Sequence, residues 1–229
     1  MRRTVSYALK WAVVITALGG VLLGFFTARA DGYSHWSKRT LYFTTQSNIW
    51  IGVTMLFLAL QPFIPLGEKD LKRLYFLKYI FTASIVMTGA VFCFLLAPFS
   101  GDYPAWTPFS FCVHLFSPLL SIADFFADET PIDFKKNAFL WTALPPVLYF
   151  AFASVLSLLG VDFGRGEPYP YFFVYLRSPA GLFGFSSQFP FFMGSLYWYA
   201  LLSLVLLAIG KLLLWGKTRR QRALSTAKA

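Results

Sequence analysis

Thr44, Ser47, Asn48 and His114 are the side chains of this sequence whose types and spacing could carry chemistry. The run Thr44-Thr45-Gln46-Ser47-Asn48 opens an otherwise apolar stretch, where hydroxyls and amides are costly unless they find partners. In membrane segments such residues commonly mark function. At positions i, i+3 and i+4, Thr44, Ser47 and Asn48 share one helical face. A threonine hydroxyl becomes a nucleophile when a neighbouring base takes its proton, and neutral imidazole is the side chain best suited to that near pH 7. With His114 as base, attack on an ester would give an acyl-threonine, which water activated by the same histidine would release. Ser47 and Asn48 are the candidate substrate-binding residues, as donors to the developing oxyanion. Thr45 is the rival nucleophile, about 100° away on a helix of 3.6 residues per turn.

The same residues also have a purely structural reading. A polar face on a transmembrane helix hydrogen-bonds to its neighbours and holds a bundle together, and His114 can serve that packing as well. A carboxylate to orient His114 is not obvious. Asp124 is ten residues on, about 15 Å along a helix axis, where Lys135 or Lys136 is its expected partner. Asp102, in the loop before the histidine, is the better placed candidate. His35 reads as a loop residue, and two histidines do not by themselves make a zinc site, so neither metal nor cofactor is expected. Cys93 and Cys112 form no metal motif or disulfide framework and read as two small apolar residues.

The elements that must position these residues follow from composition. The 229 residues are 57% hydrophobic and 20% aromatic but only 13% charged, and mean hydropathy is +0.60. A soluble domain would carry nearly twice that charged fraction. Several apolar runs reach the roughly 20 residues needed to cross the hydrocarbon core as a helix. An alternating pattern of period two, which a transmembrane barrel requires, is missing. The fold class is therefore all-α: a polytopic membrane protein forming one domain over 1–229. Its six spans are expected at about 8–28, 41–62, 75–98, 109–127, 137–159 and 188–214. Pro62, Pro65, Pro98, Pro108 and Pro131 punctuate them, and Pro145-Pro146 falls inside the fifth, where a kink is expected.

Fifteen of the 20 basic residues fall at the end of the bundle that holds both termini, with only Arg29, Lys38, Arg39, Arg165 and Arg177 at the other. That asymmetry places both termini in the cytoplasm of a cell-membrane protein. The net charge of +10 sits in short segments between spans and in the tail, so nucleic acid is not expected as a partner. A rival account of the N-terminus is a cleavable secretory signal, ending at Ala28-Arg29-Ala30. Along the second and fourth spans, Thr44 and His114 fall about 5 and 8 Å below the outer ends, depths that agree within the boundary error. The outer segment 160–187 is dense in glycine, proline and aromatics, including Tyr169, Tyr171 and Phe173. It reads either as a lid over a lipid-access opening or as an aromatic belt that anchors the loop.

At these residues the chain resembles a known family. Tyr42-Phe43-Thr44-Thr45-Gln46-Ser47-Asn48, then His114 four residues before Pro118, then Tyr169-Pro170-Tyr171, follow the order seen in the bacterial six-span "Pr-six-Pr" family. That family is similar to the eukaryotic androgen-induced and androgen-dependent multi-pass proteins, threonine hydrolases that cleave fatty acid esters of hydroxy fatty acids. The resemblance covers roughly 40–210 and implies Thr44 as nucleophile and His114 as base. Three departures accompany it. Ser47 stands where the eukaryotic pattern has Asp, Phe111 stands where it has a second histidine, and the step from histidine to proline is one residue shorter.

The leading expectation is an integral-membrane hydrolase of lipid esters, with membrane lipids and a lipid-like substrate as its partners. The alternatives are a non-catalytic protein that binds a lipid or small molecule against the polar face, and a small transporter. The last lacks a clearly placed mid-membrane acid and an inverted repeat.

Overall fold

The computed structural model describes residues 2–99, 104–131 and 134–226. Six helices are long and apolar enough to cross a membrane: α1 Thr4–Thr27, α2 Phe43–Leu60, α3 Glu68–Phe99, α4 Pro108–Ala127, α5 Ala138–Leu158 and α6 Ser195–Thr226. The described residues form no strand beyond one isolated bridge between Phe185 and Met193. The chain is an all-α, multi-pass membrane protein. Phe26, Phe94, Leu204 and Leu212 stand exposed on its outer faces, as a hydrocarbon surrounding favours.

α3 is the central helix and packs against α2, α4, α5 and α6, while α1 lies against α2 and α4. Tyr79, Ala83 and Met87 of α3 meet Tyr149 and Ala153 of α5 and Trp198, Leu202 and Leu206 of α6 in the larger core. A second core joins Val13 and Ala17 of α1 to Ile51 and Met55 of α2 and Ile85 of α3.

Two helix starts differ from those expected. α3 begins at Glu68 rather than near 75, because Glu68 and Asp70 in its first turn complement the positive helix end. Glu68 also pairs with Lys72 one turn on, at 2.7 Å. Those turns are polar, so an apolar window misses them. α6 begins at Ser195 rather than near 188. The residues before it turn back on themselves, with Ser186 N–H donating to Phe192 O (3.1 Å) and Gly194 N–H to Gly184 O (2.9 Å). The kink expected at Pro145-Pro146 is a correction of another kind. Ala138–Ala143 forms a 3-10 turn, and the α-helical part starts at Leu144 with the prolines in its first turn. Their missing N–H groups cost nothing there, because first-turn donors have no intrahelical acceptor.

The end of the bundle that bears both termini is tied by buried charges. Lys10 of α1 reaches Asp124 (3.1 Å) and Asp128 (2.8 Å), and Lys78 of α3 reaches the same two carboxylates at 2.6 and 2.7 Å. Ser6 Oγ donates to Asp124 at 2.7 Å. Lys217 of α6 donates to the backbone carbonyl of Phe125 at 2.9 Å and to that of Asp128, closing the carbonyl end of α4. Asp124 therefore pairs with Lys10 and Lys78 rather than with Lys135 or Lys136. Burial alone would raise the Asp128 carboxyl, but Lys78 and Lys10 outweigh it and hold the group well below the usual carboxylate range.

Candidate functional site

At the opposite end, the starts of α2 and α4 lie side by side, and each side chain of the polar run has a distinct place. Tyr42 precedes α2 without a side-chain cap, so the first N–H groups of the helix need acceptors from elsewhere. Thr44 N–H finds one in the phenol oxygen of Tyr171, 3.3 Å away on the loop between α5 and α6. Gln46 turns back to donate to Thr40 O at 3.0 Å. Ser47 Oγ bonds Thr44 O (3.2 Å) and Thr88 Oγ1 of α3 (2.9 Å). Asn48 Nδ2 donates to Thr44 O (2.9 Å) and across to Val113 O of α4 (3.1 Å).

His114 is positioned by an irregularity in α4. Pro118, four residues on, has no N–H to return to the His114 carbonyl, and the helix widens into a π-turn over Phe111–Phe116. Ser117 N–H reaches back five residues to Cys112 O, which leaves Val113 O for the Asn48 amide. Gly89 of α3 makes the close approach possible. A Cβ there would lie 2.7 Å from His114 O and 3.0 Å from the Pro118 ring. The imidazole stacks on Phe92, itself the first residue of a π-turn in α3, at 3.8 Å with planes 8° apart. The edge of Phe109 closes another side at 6.1 Å.

These constraints bring Thr44 Oγ1 to 3.2 Å from His114 Nε2, with both residues buried. Tyr171 OH stands 3.3 Å from the same Oγ1. For Nε2 to accept the Thr44 proton, Nδ1 must carry its own, and the backbone of Ser110, one turn earlier on the same helix, interacts with the ring. The ring is thus oriented by Phe92 and Phe109 rather than by a carboxylate. Asp124 belongs to the charge cluster at the other end, and Asp102 lies outside the described residues. Burial pushes the Tyr171 phenol up to about 12, so near neutral pH it stays protonated and keeps one hydrogen to donate.

Two cavities meet at Thr44. An outer chamber of about 370 Å³ is lined by Thr44, Thr45, His114 and Tyr171 together with Arg39 and Arg165. A narrow apolar slot of about 50 Å³ runs the other way, between Met87 of α3, Tyr149 of α5 and Leu202 of α6. The loop between α5 and α6 roofs the chamber, with Phe163, Phe173 and Val174 buried and Tyr171 stacked on Phe173 at 5.1 Å. Ser47 and Asn48 line neither cavity; their hydrogen bonds hold α2 to α3 and α4.

Thr44 and His114 are brought together as their depths along the two spans suggest. Tyr171, Arg39 and Phe92 join them without any warning from spacing. Tyr171 stands in a loop of many aromatics, where no periodicity distinguishes one ring from the next. Cys93 and Cys112 are separate, half-buried thiols, and the described residues hold no cluster of metal-binding side chains. No family model, curated protein or solved structure matches this chain.

Proposed function

We propose that this protein hydrolyses lipid esters within the membrane, with Thr44 as nucleophile and His114 as general base. The observation that carries the reading is the 3.2 Å contact between Thr44 Oγ1 and His114 Nε2, buried at the junction of a chamber of mixed lining and an apolar slot. Nε2 takes the hydroxyl proton as Oγ1 bonds to the ester carbonyl carbon. The resulting oxyanion is held by the Tyr171 hydroxyl and the Thr44 N–H, which contact each other in the structure. Collapse breaks the ester C–O bond, and the departing alcohol oxygen takes the proton from Nε2. Water then gives a proton to Nε2 and its oxygen to the acyl carbon; the bond from that carbon to Oγ1 breaks, Oγ1 takes the proton back from Nε2, and the carboxylic acid leaves. The resemblance, through the bacterial six-span family, to the eukaryotic multi-pass threonine hydrolases points to the same pair of residues. The bias of basic residues puts both termini in the cytoplasm and opens the chamber toward the outer leaflet of the cell membrane.

A fluorophosphonate carrying an alkyl tail tests the proposal, because it phosphonylates an activated hydroxyl. The parent protein is expected to label in a time-dependent manner at Thr44, located by peptide mass. Thr44→Ala is expected to abolish labelling, and His114→Ala to slow it by about 10²–10⁴-fold, the usual contribution of a general base. Labelling of all three at one rate, or of none, would overturn the hydrolase reading and favour a lipid-binding protein.

A further inference from the structure

The outer chamber carries a feature that the ester chemistry leaves unused. Arg39 is only 4% exposed, and its guanidinium lies over the rings of Tyr33 and Phe109, at 4.6 and 4.3 Å from their centroids. Asp31 binds one terminal nitrogen. The buried Nε has no hydrogen-bond partner among the described residues. A buried charged donor without an acceptor is costly, and the Arg39 side chain borders the chamber, where an acceptor can meet its guanidinium. Arg165 lines the same chamber from the loop, 4.6 Å over the Tyr33 ring. Two guanidinium groups thus share the chamber with the carboxylate of Asp31.

The place of Arg39 along the bundle narrows the chemistry. It stands in the 3-10 turn Trp36–Leu41, just before α2, whereas Thr44 is on the first turn of α2. In a bilayer that puts the guanidinium in the headgroup layer and the hydroxyl at the top of the hydrocarbon. The two are close in space, since Arg39 and His114 rest on the same Phe109 ring. A glycerophospholipid repeats this order along its own length, with phosphate outermost, ester carbonyls a few bonds below and acyl chains beneath them. Guanidinium offers phosphate oxygens a planar fork of N–H donors, of which Nε is one prong.

We infer that the chamber is a lipid-phosphate site and that the ester cleaved at Thr44 belongs to a phosphate-bearing lipid. Arg39 holds the phosphate, Arg165 borders it from the loop, the ester carbonyl rests at Thr44, and the acyl chain enters the slot between α3, α5 and α6. The fate of the ester rests on the hydrolase reading; the phosphate site does not.

The test uses the full chain in an uncharged maltoside detergent and a short-chain diether analogue of phosphatidylglycerol, which has a phosphate but no ester to cleave. It is compared with the same diether lacking the phosphate, and with one that ends in a carboxylate. Saturable thermal stabilisation by the phosphate diether is expected in the parent. The phosphate-free diether is expected to give none, and the carboxylate diether a half-saturation at least about tenfold higher. Arg39→Lys keeps the charge but removes the fork, and is expected to raise half-saturation by about tenfold. Arg165→Gln, at an exposed position, is expected to raise it by a smaller factor. Equal stabilisation by all three diethers, or by phosphate and carboxylate diethers alike, would overturn the phosphate assignment. So would parental binding in both arginine variants. If Arg39→Lys does not fold, the three ligands on the parent decide. Phosphate binding by a parent that no fluorophosphonate labels would sink the hydrolase reading and leave the phosphate site standing.

Discussion

The two ends of the bundle bury polar groups in opposite ways. At the end with the termini, Lys10 and Lys78 each face both Asp124 and Asp128, and Lys217 closes the last carbonyls of α4. No charged group of that cluster lines either cavity that meets Thr44. At the other end, Thr44 and His114 are also buried and Tyr171 is half-buried, yet Nε of Arg39 has no hydrogen-bond partner among the described residues. Arg39 lines the outer chamber, and the chamber and the apolar slot meet at Thr44. Buried charges of opposite sign that face one another fix how helices sit against one another. Buried donors left open beside a cavity are suited to a ligand. On the proposed reading one end holds the helices and the other binds a ligand.

The largest effect expected from breaking this contrast is on the holding end. Lys78→Ala takes from both buried carboxylates one of their two ion-pair partners among the described residues, and removing one partner of a buried ion pair typically costs about 3–5 kcal/mol. Thermal unfolding in detergent should shift accordingly, while the fraction that remains folded labels with fluorophosphonate at the parental rate. A variant that kept its stability but lost labelling would mean that the two ends are coupled, and the division of labour would fail.

How much of each end is legible in the sequence differs for the same reason. The six helices follow from long apolar runs, because bilayer thickness fixes their length. The approach of Thr44 to His114 follows from depth, since both sit near the starts of parallel spans. The charge cluster does not follow from either. In the sequence Lys10 and Lys78 count only toward the basic bias of one end, because nothing near them names an aspartate that lies 118 or 50 residues away. Asp124 was expected to pair with its chain neighbours for want of that knowledge. Arg39 and Tyr171 are hidden in the same manner. Their roles depend on how two irregular connections fold over the helix ends, where neither the period of a helix nor that of a strand applies.

On the binding end, Tyr171→Phe removes one hydroxyl and keeps the ring that stacks on Phe173. Loss of one oxyanion donor typically lowers turnover by about 10²–10³-fold, so labelling and ester hydrolysis should fall by that order with little change in melting temperature. Unchanged rates would reduce Tyr171 to a cap for the Thr44 N–H.

The smallest effect is also the most discriminating, because Ser47 lies one helical turn from Thr44 and could belong to either function. Its hydroxyl bonds Thr44 O and Thr88 Oγ1, and it lines neither cavity. If it serves packing, Ser47→Ala removes a neutral hydrogen bond worth about 1 kcal/mol and leaves the labelling rate at Thr44 nearly unchanged. If it served the oxyanion, the same substitution would cost about 10²–10³-fold in rate. Measured side by side with Tyr171→Phe, the two variants assign the donor: a slow Tyr171→Phe with a fast Ser47→Ala puts it on the loop. The reverse would put it on α2, and the hydrogen bond between α2 and α3 would then be the one that opens when substrate binds.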